Sequence, residues 1–205
     1  MRLAVFGATG TVGTAVVARA VAEGHTVRAL VRDRRRRSGP LPGAVQTVVG
    51  DVRDTGAVRD TVAGAEAGPS SLGGVHAPRG LSIRTGHVLP VKGERGSRRL
   101  HHLDMPGAPH TRGRAVVAPL LWLGSRRLVP ASRELARTLQ SSDVDWTLVR
   151  APRVVPGDRT GRVRTGHLRL SPLSHVRVGD VAEVMLRCLT DPSTVRTAPM
   201  VAAAR

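Results

Sequence analysis

The stretch MRLAVFGATGTVGTAVVARAVAEGHTVRALVRD, residues 1–33, decides the fold. A short apolar strand over residues 3–6 leads directly into a turn that carries three glycines. Apolar residues then recur at helical spacing as far as Gly24, and a second strand is predicted over residues 25–31. A strand, a helix and a second strand in this order predict a βαβ unit, in which parallel strands are covered by the connecting helix.

The glycine-rich turn between the first strand and the first helix predicts a dinucleotide site. Gly7 lets the chain turn sharply, Gly10 lets backbone amides approach a pyrophosphate, and Gly13 lets the helix pack closely on the sheet. The N-terminus of the helix also offers free N–H groups and the positive end of its dipole to phosphates. A tight turn without a ligand is the alternative. The predicted pyrophosphate site consists of Gly7, Ala8, Thr9, Gly10, Thr11, Val12 and Gly13.

Two further strands are predicted in the first half of the chain. One covers residues 45–49, and a short helix with Asp54 as its N-cap follows it. The other is implied by the family resemblance described below, and Ser70, Ser71, Leu72 and Gly73 fit its end. Gly68 and Pro69 damage its start because proline cannot donate to a strand ladder. The alternation of strands and helices therefore continues through this half.

The alternation returns in the last third of the chain. Residues 115–124 are apolar enough for a buried helix, and a second helix places Leu135 and Leu139 on one face before a strand. A final helix, with Asp180 as its cap, precedes a last strand over residues 196–201. The pattern predicts an α/β fold, a doubly wound parallel sheet with helices on both faces.

The middle segment, residues 75–114, breaks this pattern. No helix of normal length fits its scattered proline, glycine and arginine, and a structureless loop of this size is unusual inside a compact domain. Codons that encode HHLDMP can encode Ile-Thr-Ser-Thr-Cys when they are read one base later. One hypothesis is therefore that the segment is translated out of frame. A genuine insertion and a disordered loop are the alternatives.

His101 and His102 are the candidate ligands or catalysts of the middle segment. Adjacent residues point to opposite sides of a strand, so the two could not share a metal there. In a loop they could do so with Asp104 or His110, but no metal-binding spacing such as HExxH is present. We expect no metal site and an inert, exposed segment.

Four motifs resemble one family. The spacing of GATGTVG, the LVRD at the end of the second strand, and the later DWTLVRAP and HVRVGDVA resemble atypical short-chain dehydrogenases/reductases. More narrowly, they resemble the NmrA-like, NAD(P)H-binding group that includes biliverdin and flavin reductases. The resemblance covers roughly residues 1–75 and 115–201. It implies a single NAD(P)-binding domain with a Rossmann-type sheet over residues 1–205, of which residues 75–114 are irregular.

The same resemblance implies further cofactor contacts. Arg32 would contact the 2′-phosphate, which favours NADP(H) over NAD(H), since an NAD site places an acidic residue at that strand end. Asp51 and Val52 would lie beside the adenine. The ribose–nicotinamide side would be lined by Ser71, Leu72 and Gly73.

The resemblance implies an NAD(P)H-dependent oxidoreductase that reduces a small molecule, such as a flavin- or quinone-like acceptor. The Tyr-x-x-x-Lys pair of many short-chain dehydrogenases is absent, because the chain has no tyrosine. We therefore identify no catalytic residue. A non-catalytic NADP(H)-sensing regulator, a defective chain that binds nothing well and a basic nucleic-acid-binding protein are the alternatives.

Composition limits the remaining classes of protein. A net charge of +17 allows a nucleic-acid partner or reflects arginine bias, but an aromatic content of 1% leaves almost no base-stacking platform. Specific nucleic-acid binding is therefore not expected. The single cysteine, Cys188, excludes an internal disulfide. No apolar run is long enough to span a membrane, so we expect a cytoplasmic protein without a membrane partner. The sequence leaves the oligomeric state open, and a monomer is admissible.

Overall fold

The computed structural model describes residues 1–33, 41–72, 99–104, 128–171 and 173–204. Within these ranges the chain forms ten strands and four α-helices. The strands are β1 (Arg2–Phe6), β2 (Thr26–Val31), β3 (Gln46–Val49), β4 (Ala67–Ser70), β5 (Arg99–Asp104), β6 (Asp145–Arg150), β7 (Arg153–Val155), β8 (Val163–Gly166), β9 (His175–Arg177) and β10 (Met200–Ala203). The helices are α1 (Thr11–Ala22), α2 (Thr55–Val62), α3 (Leu128–Gln140) and α4 (Val178–Thr190).

Eight of the strands form one sheet in the order β3-β2-β1-β4-β5-β6-β10-β8. Neighbours in this sheet are parallel except β10 and β8, which are antiparallel. The strand order reverses between β1 and β4, and this is the topological switch point at which doubly wound sheets bind ligands. The predicted fold class is therefore confirmed. Strands β7 and β9 form a separate two-stranded parallel sheet.

The helices cover both faces of the large sheet. Helices α1 and α4 share one apolar cluster, which includes Val16, Val17 and Met185. The other face carries α2 and α3, where Leu135 and Leu139 are fully buried as their shared helix face predicted. The N-cap prediction also holds, because a carboxylate oxygen of Asp54 accepts from the N–H groups of the first turn of α2.

The middle of the sheet differs from the sequence-based prediction. Strand β4 contains both Gly68 and Pro69, and all four of its residues are buried. Strand β5 lies within the segment that was predicted to be irregular, and it pairs in parallel with β4 and β6. The predictions of a damaged β4 and of an irregular segment at residues 99–104 are therefore wrong. Burial on both sides of the sheet outweighs the local preference of these residues.

Other predictions for the middle of the chain lie outside the described residues. This holds for the rest of the 75–114 segment and for the apolar helix expected at residues 115–124. The last strand is described, and it begins at Met200 instead of residue 196. Arg196 has a φ of 55°, a left-handed conformation that cannot be part of a strand. No helix in the described ranges combines the length and apolarity that a membrane span requires.

Candidate functional site

The predicted site residues lie at the carboxyl edge of the large sheet, where parallel strands end together. Gly7 follows β1, Arg32 follows β2, Asp51 comes two residues after β3, and Ser71 follows β4. These four strands are neighbours around the switch point. The fold therefore brings the turns of the predicted site to one edge, which is the edge where α/β sheets bind nucleotides.

Two of the three glycines are required by the packing of the turn itself. Gly7 has a φ of 77°, and a Cβ there would lie 2.9 Å from the Ser71 carbonyl. At Gly13 a Cβ would lie only 1.9 Å from the Gly7 carbonyl oxygen. Since real Cβ atoms do not approach backbone this closely, the start of α1 can pack on the turn only with glycine at both positions.

Gly10 is different, because none of the residues that the structure describes requires glycine there. Its φ of −84° and ψ of 167° are open to any residue. A Cβ would make a contact of 3.4 Å with the Gly7 carbonyl oxygen and no closer one. Gly10 is also exposed and stands at the N-cap of α1. The missing side chain leaves the first turn of the helix open to an anion from solvent.

The first turn of α1 supplies the donors for such an anion. The Gly10 N–H is used within the turn, where it donates to the Gly7 carbonyl oxygen at 3.0 Å. A helical N–H donates to the carbonyl four residues earlier, and the helix offers no such carbonyl to Thr11, Val12 and Gly13. Their N–H groups are the donors for the anion. Thr11 is exposed and Ala8 is fully buried beneath the turn. These residues fit a pyrophosphate, whose oxygens accept N–H donors at a helix N-terminus.

Ser71 supports this turn from the neighbouring strand. Its backbone N–H donates to the Phe6 carbonyl oxygen, and its hydroxyl donates to the Gly7 carbonyl oxygen at 3.2 Å. The residue predicted to line the ribose–nicotinamide side therefore also holds the glycine turn. Leu72 packs against the apolar cluster beside α2. Gly73, predicted with them, lies outside the described residues.

The adenine side of the predicted site is formed by the ends of β2 and β3. The Arg32 side chain is exposed directly after β2. A carboxylate oxygen of Asp51 accepts from the Arg53 N–H at 3.0 Å, and this bond shapes the turn after β3. Val52 is 5% exposed and packs in the apolar cluster with Phe6. Arg32 is thus an exposed cation at this end of the edge.

His102 and Ser70 form a polar pair that the sequence-based prediction missed. Both side chains are buried, and His102 Nδ1 lies 3.1 Å from Ser70 Oγ. Within the described part of the chain, His102 Nε2 has no hydrogen-bond partner. Burial lowers the pKa of His102 to about 4, so its ring is neutral at neutral pH. The register of β4 and β5 sets Ser70 directly beside His102 near the carboxyl ends of both strands.

The two histidines lie on opposite faces of the sheet. Leu103 packs against the α1–α4 cluster, and His101 shares its face because side chains alternate along a strand. Leu100 belongs to the cluster beside α3, and His102 shares that face. The prediction of an exposed segment is wrong, since His101 is 1% exposed and His102 is 0% exposed. Among the described residues, no three His, Cys, Asp or Glu side chains are grouped to hold a metal ion.

Asp180 also has a different place from the predicted one. The N-cap of α4 is Arg177, and Asp180 lies in the first turn with its side chain buried. One carboxylate oxygen accepts from the N–H groups of Thr160 and Gly161 at 2.8 and 2.9 Å, and the other accepts from the Thr160 hydroxyl at 2.9 Å. Asp180 therefore fastens the loop between β7 and β8 to α4.

Comparison with known proteins agrees with this geometry. Residues 7–192 match the model of a family described as NAD(P)H-binding. An anaerobilin reductase from Escherichia coli O157:H7 shares the fold with a TM-score of 0.81 at 20% identity, over 98% of this chain and 96% of that one. A proposed NADH-flavin reductase from Streptococcus pneumoniae has a TM-score of 0.76 at 21% identity, over 99% of both chains.

A proposed NAD-dependent epimerase/dehydratase from Bacillus halodurans gives a TM-score of 0.81 at 20% identity, over 100% of this chain and 94% of that one. At such identities, the likeness to these solved structures shows a common fold. The family model spans most of the chain and starts at the first glycine of the turn. The chain therefore belongs to the NAD(P)H-binding family.

Proposed function

We propose that the chain is an NAD(P)H-dependent oxidoreductase that reduces a ring-shaped acceptor such as a flavin or a quinone. The observation that carries the proposal is Gly10, an exposed glycine at the N-terminus of α1 that packing among the described residues does not require. A ligand that approaches the backbone closely explains this glycine, and the donors around it suit a pyrophosphate.

In this proposal the bound dinucleotide supplies the hydride, and the chain supplies binding and orientation. The backbone from Gly7 to Gly13 holds the pyrophosphate at the switch point. The end of β4, with Ser71 and Leu72, lies beside the same turn and would line the nicotinamide half. Correct placement of two rings lowers the barrier by avoiding the entropy loss of a bimolecular encounter. Such a reaction needs no tyrosine, and the chain has none.

We further propose that the cofactor is NADP(H). Arg32 is exposed at the end of β2, where NAD-binding proteins carry an acidic residue for the ribose hydroxyl. A guanidinium at this position suits a 2′-phosphate, which it can bind through two parallel N–H donors. Replacing Arg32 with Gln should weaken NADPH binding about tenfold or more and leave NADH binding nearly unchanged, as measured by titration calorimetry.

Gly10→Ala tests the proposal directly. The free energy of unfolding of the variant should stay within about 1 kcal/mol of that of the native chain, because the turn has room for the added methyl group. Its NADPH affinity should fall at least about tenfold, because the methyl group displaces the phosphate. Gly43→Ala is the matched control and should change neither quantity, since a Cβ there meets no atom of the described residues within 4 Å.

Two outcomes would change the proposal. If saturating NADPH does not raise the melting temperature of the native chain, the dinucleotide site is refuted. If NADPH binds but no flavin or quinone is reduced, the chain acts as a non-catalytic NADP(H) sensor.

A further inference from the structure

We infer that the exposed face of the small β7–β9 sheet binds the anionic group of the acceptor, a phosphate or carboxylate carried by the ring that is reduced. This inference rests on the proposed function, because it places the acceptor beside the nicotinamide half of the carboxyl edge. It concerns the residues from the end of β6 to the start of α4.

The position of the small sheet follows from the strand register. Strand β6 ends at Arg150 on the carboxyl edge, and β7 begins three residues later at Arg153. Three residues of extended chain reach about 11 Å at most, so β7 starts close to that edge. Met200 pairs with both Arg150 and Gly166, so β10 and β8 continue past the end of β6. Strands β7 and β8 therefore stand beyond the half of the edge that follows β4, and β9 pairs with β7.

One face of the small sheet is cationic. The other face packs inward, because Val154 and Val176 join the apolar cluster of α1 and α4. The alternation of side chains then places Arg153, His175 and Arg177 together on the outward face, and all three are exposed. Arg153 lies directly opposite His175 in the strand register. The face thus presents two guanidinium groups and an imidazole on adjacent strands.

The charges of this face are not neutralised by the described residues. Neither Arg153 nor Arg177 has a side-chain hydrogen bond or ion pair with any residue that the structure describes. Arg159, in contrast, pairs with Glu183 of α4. Across residues 151–177 the single acidic residue is Asp158. The arginines of this stretch are Arg153, Arg159, Arg162, Arg164, Arg169 and Arg177.

The surrounding loop holds this face in place. The three hydrogen bonds to Asp180 fasten the β7–β8 loop to α4. Gly157 lies against the stem of Arg177, since a Cβ at Gly157 would come within 3.1 Å of the Arg177 Cδ. A Cβ at Gly179 would lie 2.3 Å from the Arg159 N, so the loop meets the helix without space between them. The backbone that carries these side chains is therefore held in place before an anion binds, which lowers the ordering cost of binding.

The size of the face favours a small anion over a nucleic acid. Each strand has three residues, which is about 10 Å of length, and no aromatic residue lies in residues 151–177. Nucleic-acid surfaces need a longer run of phosphate contacts or aromatic stacking. Guanidinium groups bind a single phosphate or carboxylate by charge-assisted hydrogen bonds, which suits the anionic arm of a ring acceptor.

Two flavins test the inference because they share one ring system. FMN carries a phosphate and riboflavin does not, so we would titrate each into the full chain with saturating NADP⁺ and follow flavin fluorescence. FMN should bind about tenfold more tightly than riboflavin at low ionic strength, and the preference should shrink as salt is added. The double variant Arg153→Gln/Arg177→Gln should lose the preference and keep its affinity for riboflavin.

The control removes the same charge elsewhere. Arg137 and Arg187 are exposed in the last turns of α3 and α4, at the amino edge of the sheet. The variant Arg137→Gln/Arg187→Gln should keep the preference for FMN. Equal affinity for the two flavins, binding of neither, or an equal loss in the control overturns the inference. DNA retention that depends on Arg153 and Arg177, with equal flavin affinities, would assign the face to nucleic acid and also overturns it.

These outcomes are separable from failure of the proposed function. If the chain prefers FMN through Arg153 and Arg177 but reduces no acceptor, the anion site is supported and the proposed reductase function is refuted. A chain that reduces both flavins with equal affinity keeps the reductase and loses the anion site.

Discussion

The glycine turn and the β4–β5 pair lie side by side at the centre of the sheet, yet they relate to the sequence in opposite ways. In the turn, Gly7 and Gly13 stand where the local backbone leaves no room for a side chain. In the pair, Pro69, His101 and His102 occupy positions that local preference would assign to apolar, β-favouring residues. The conformation of the turn is determined by its own residues. The strand conformation of β4 and β5 is determined by the strands that pair with them on each side.

This difference explains what the sequence could predict. Steric requirements at a turn act within a few residues, so GATGTVG, together with the strand before it and the helix and strand after it, predicted the βαβ unit. The pyrophosphate site at this turn stays a prediction. The state of β5 depends on β4 and β6, which approach it from 32 and 46 residues away in register. The residues RLHHLD show no apolar periodicity that would predict a strand between those two neighbours. The out-of-frame hypothesis for the middle segment stays a prediction, and the gene sequence tests it.

The largest effect is expected in the turn. Gly13→Ala places a methyl group 1.9 Å from the Gly7 carbonyl oxygen, and backbone on both sides prevents it from moving away. We expect a loss of about 3 kcal/mol or more in the free energy of unfolding, measured by urea denaturation. A loss below about 1 kcal/mol, the range expected for Gly10→Ala, would show that the turn adapts and that the contrast between the two regions is weaker.

The next effect is acid sensitivity in the β4–β5 pair. The pKa of His102 is lowered from its ordinary 6.5 to about 4 in the folded protein. Between these values the unfolded chain binds the proton and the folded chain does not, so stability is lost as the pH falls from 6.5 to 4. The loss attributable to His102 is roughly 3 kcal/mol. The unfolding free energies of the native chain and of His102→Leu should be compared from pH 6.5 to pH 4. Carboxylates titrate in both proteins, so the difference between the two curves isolates His102.

A smaller effect separates the hydrogen bond of the pair from its burial. His102→Leu alone leaves the buried Ser70 hydroxyl without its partner, which should cost about 1–2 kcal/mol at pH 7.5. The double variant Ser70→Ala/His102→Leu replaces both polar groups and should return to within about 0.5 kcal/mol of the native chain. A double variant that stays as unstable as the single one would mean that the imidazole itself stabilises β5.

The smallest effect lies where the two regions meet. Ser71→Ala removes the hydroxyl that reaches the Gly7 carbonyl oxygen at 3.2 Å. The bond is long and half-exposed, so we expect a loss of about 0.5–1 kcal/mol in unfolding free energy. Hydrogen exchange at the Gly10 amide, which donates to the same carbonyl oxygen, should quicken in this variant. Unchanged exchange would show that β4 does not support the turn.

The candidate site also contains residues positioned by a local turn and residues positioned by partners that are distant in the chain. Gly7 and Gly10 could be placed from the sequence because they lie in the short turn between a clear apolar strand and a clear helix. The position of Arg32 came from the LVRD motif that ends the second strand. Ser70, His102 and the loop contacts of Asp180 could not be placed from the sequence, because their partners are distant in the chain. Asp180 was expected to cap its own helix, and only the fold shows that its carboxylate serves a loop 20 residues earlier.

The first strand begins at the amino edge of the sheet and the last strand ends past the carboxyl edge. Fluorophores attached at these two places would therefore report on different parts of the molecule. The Met1 carbonyl oxygen accepts from the Thr26 N–H at the amino edge, and the Ala204 N–H donates to the Arg162 carbonyl oxygen past the carboxyl edge. A fluorophore joined before Met1 is therefore remote from the proposed nucleotide and acceptor. One joined after Ala204 stands next to the edge strand β8, on the side of the sheet where a bound flavin would quench its emission.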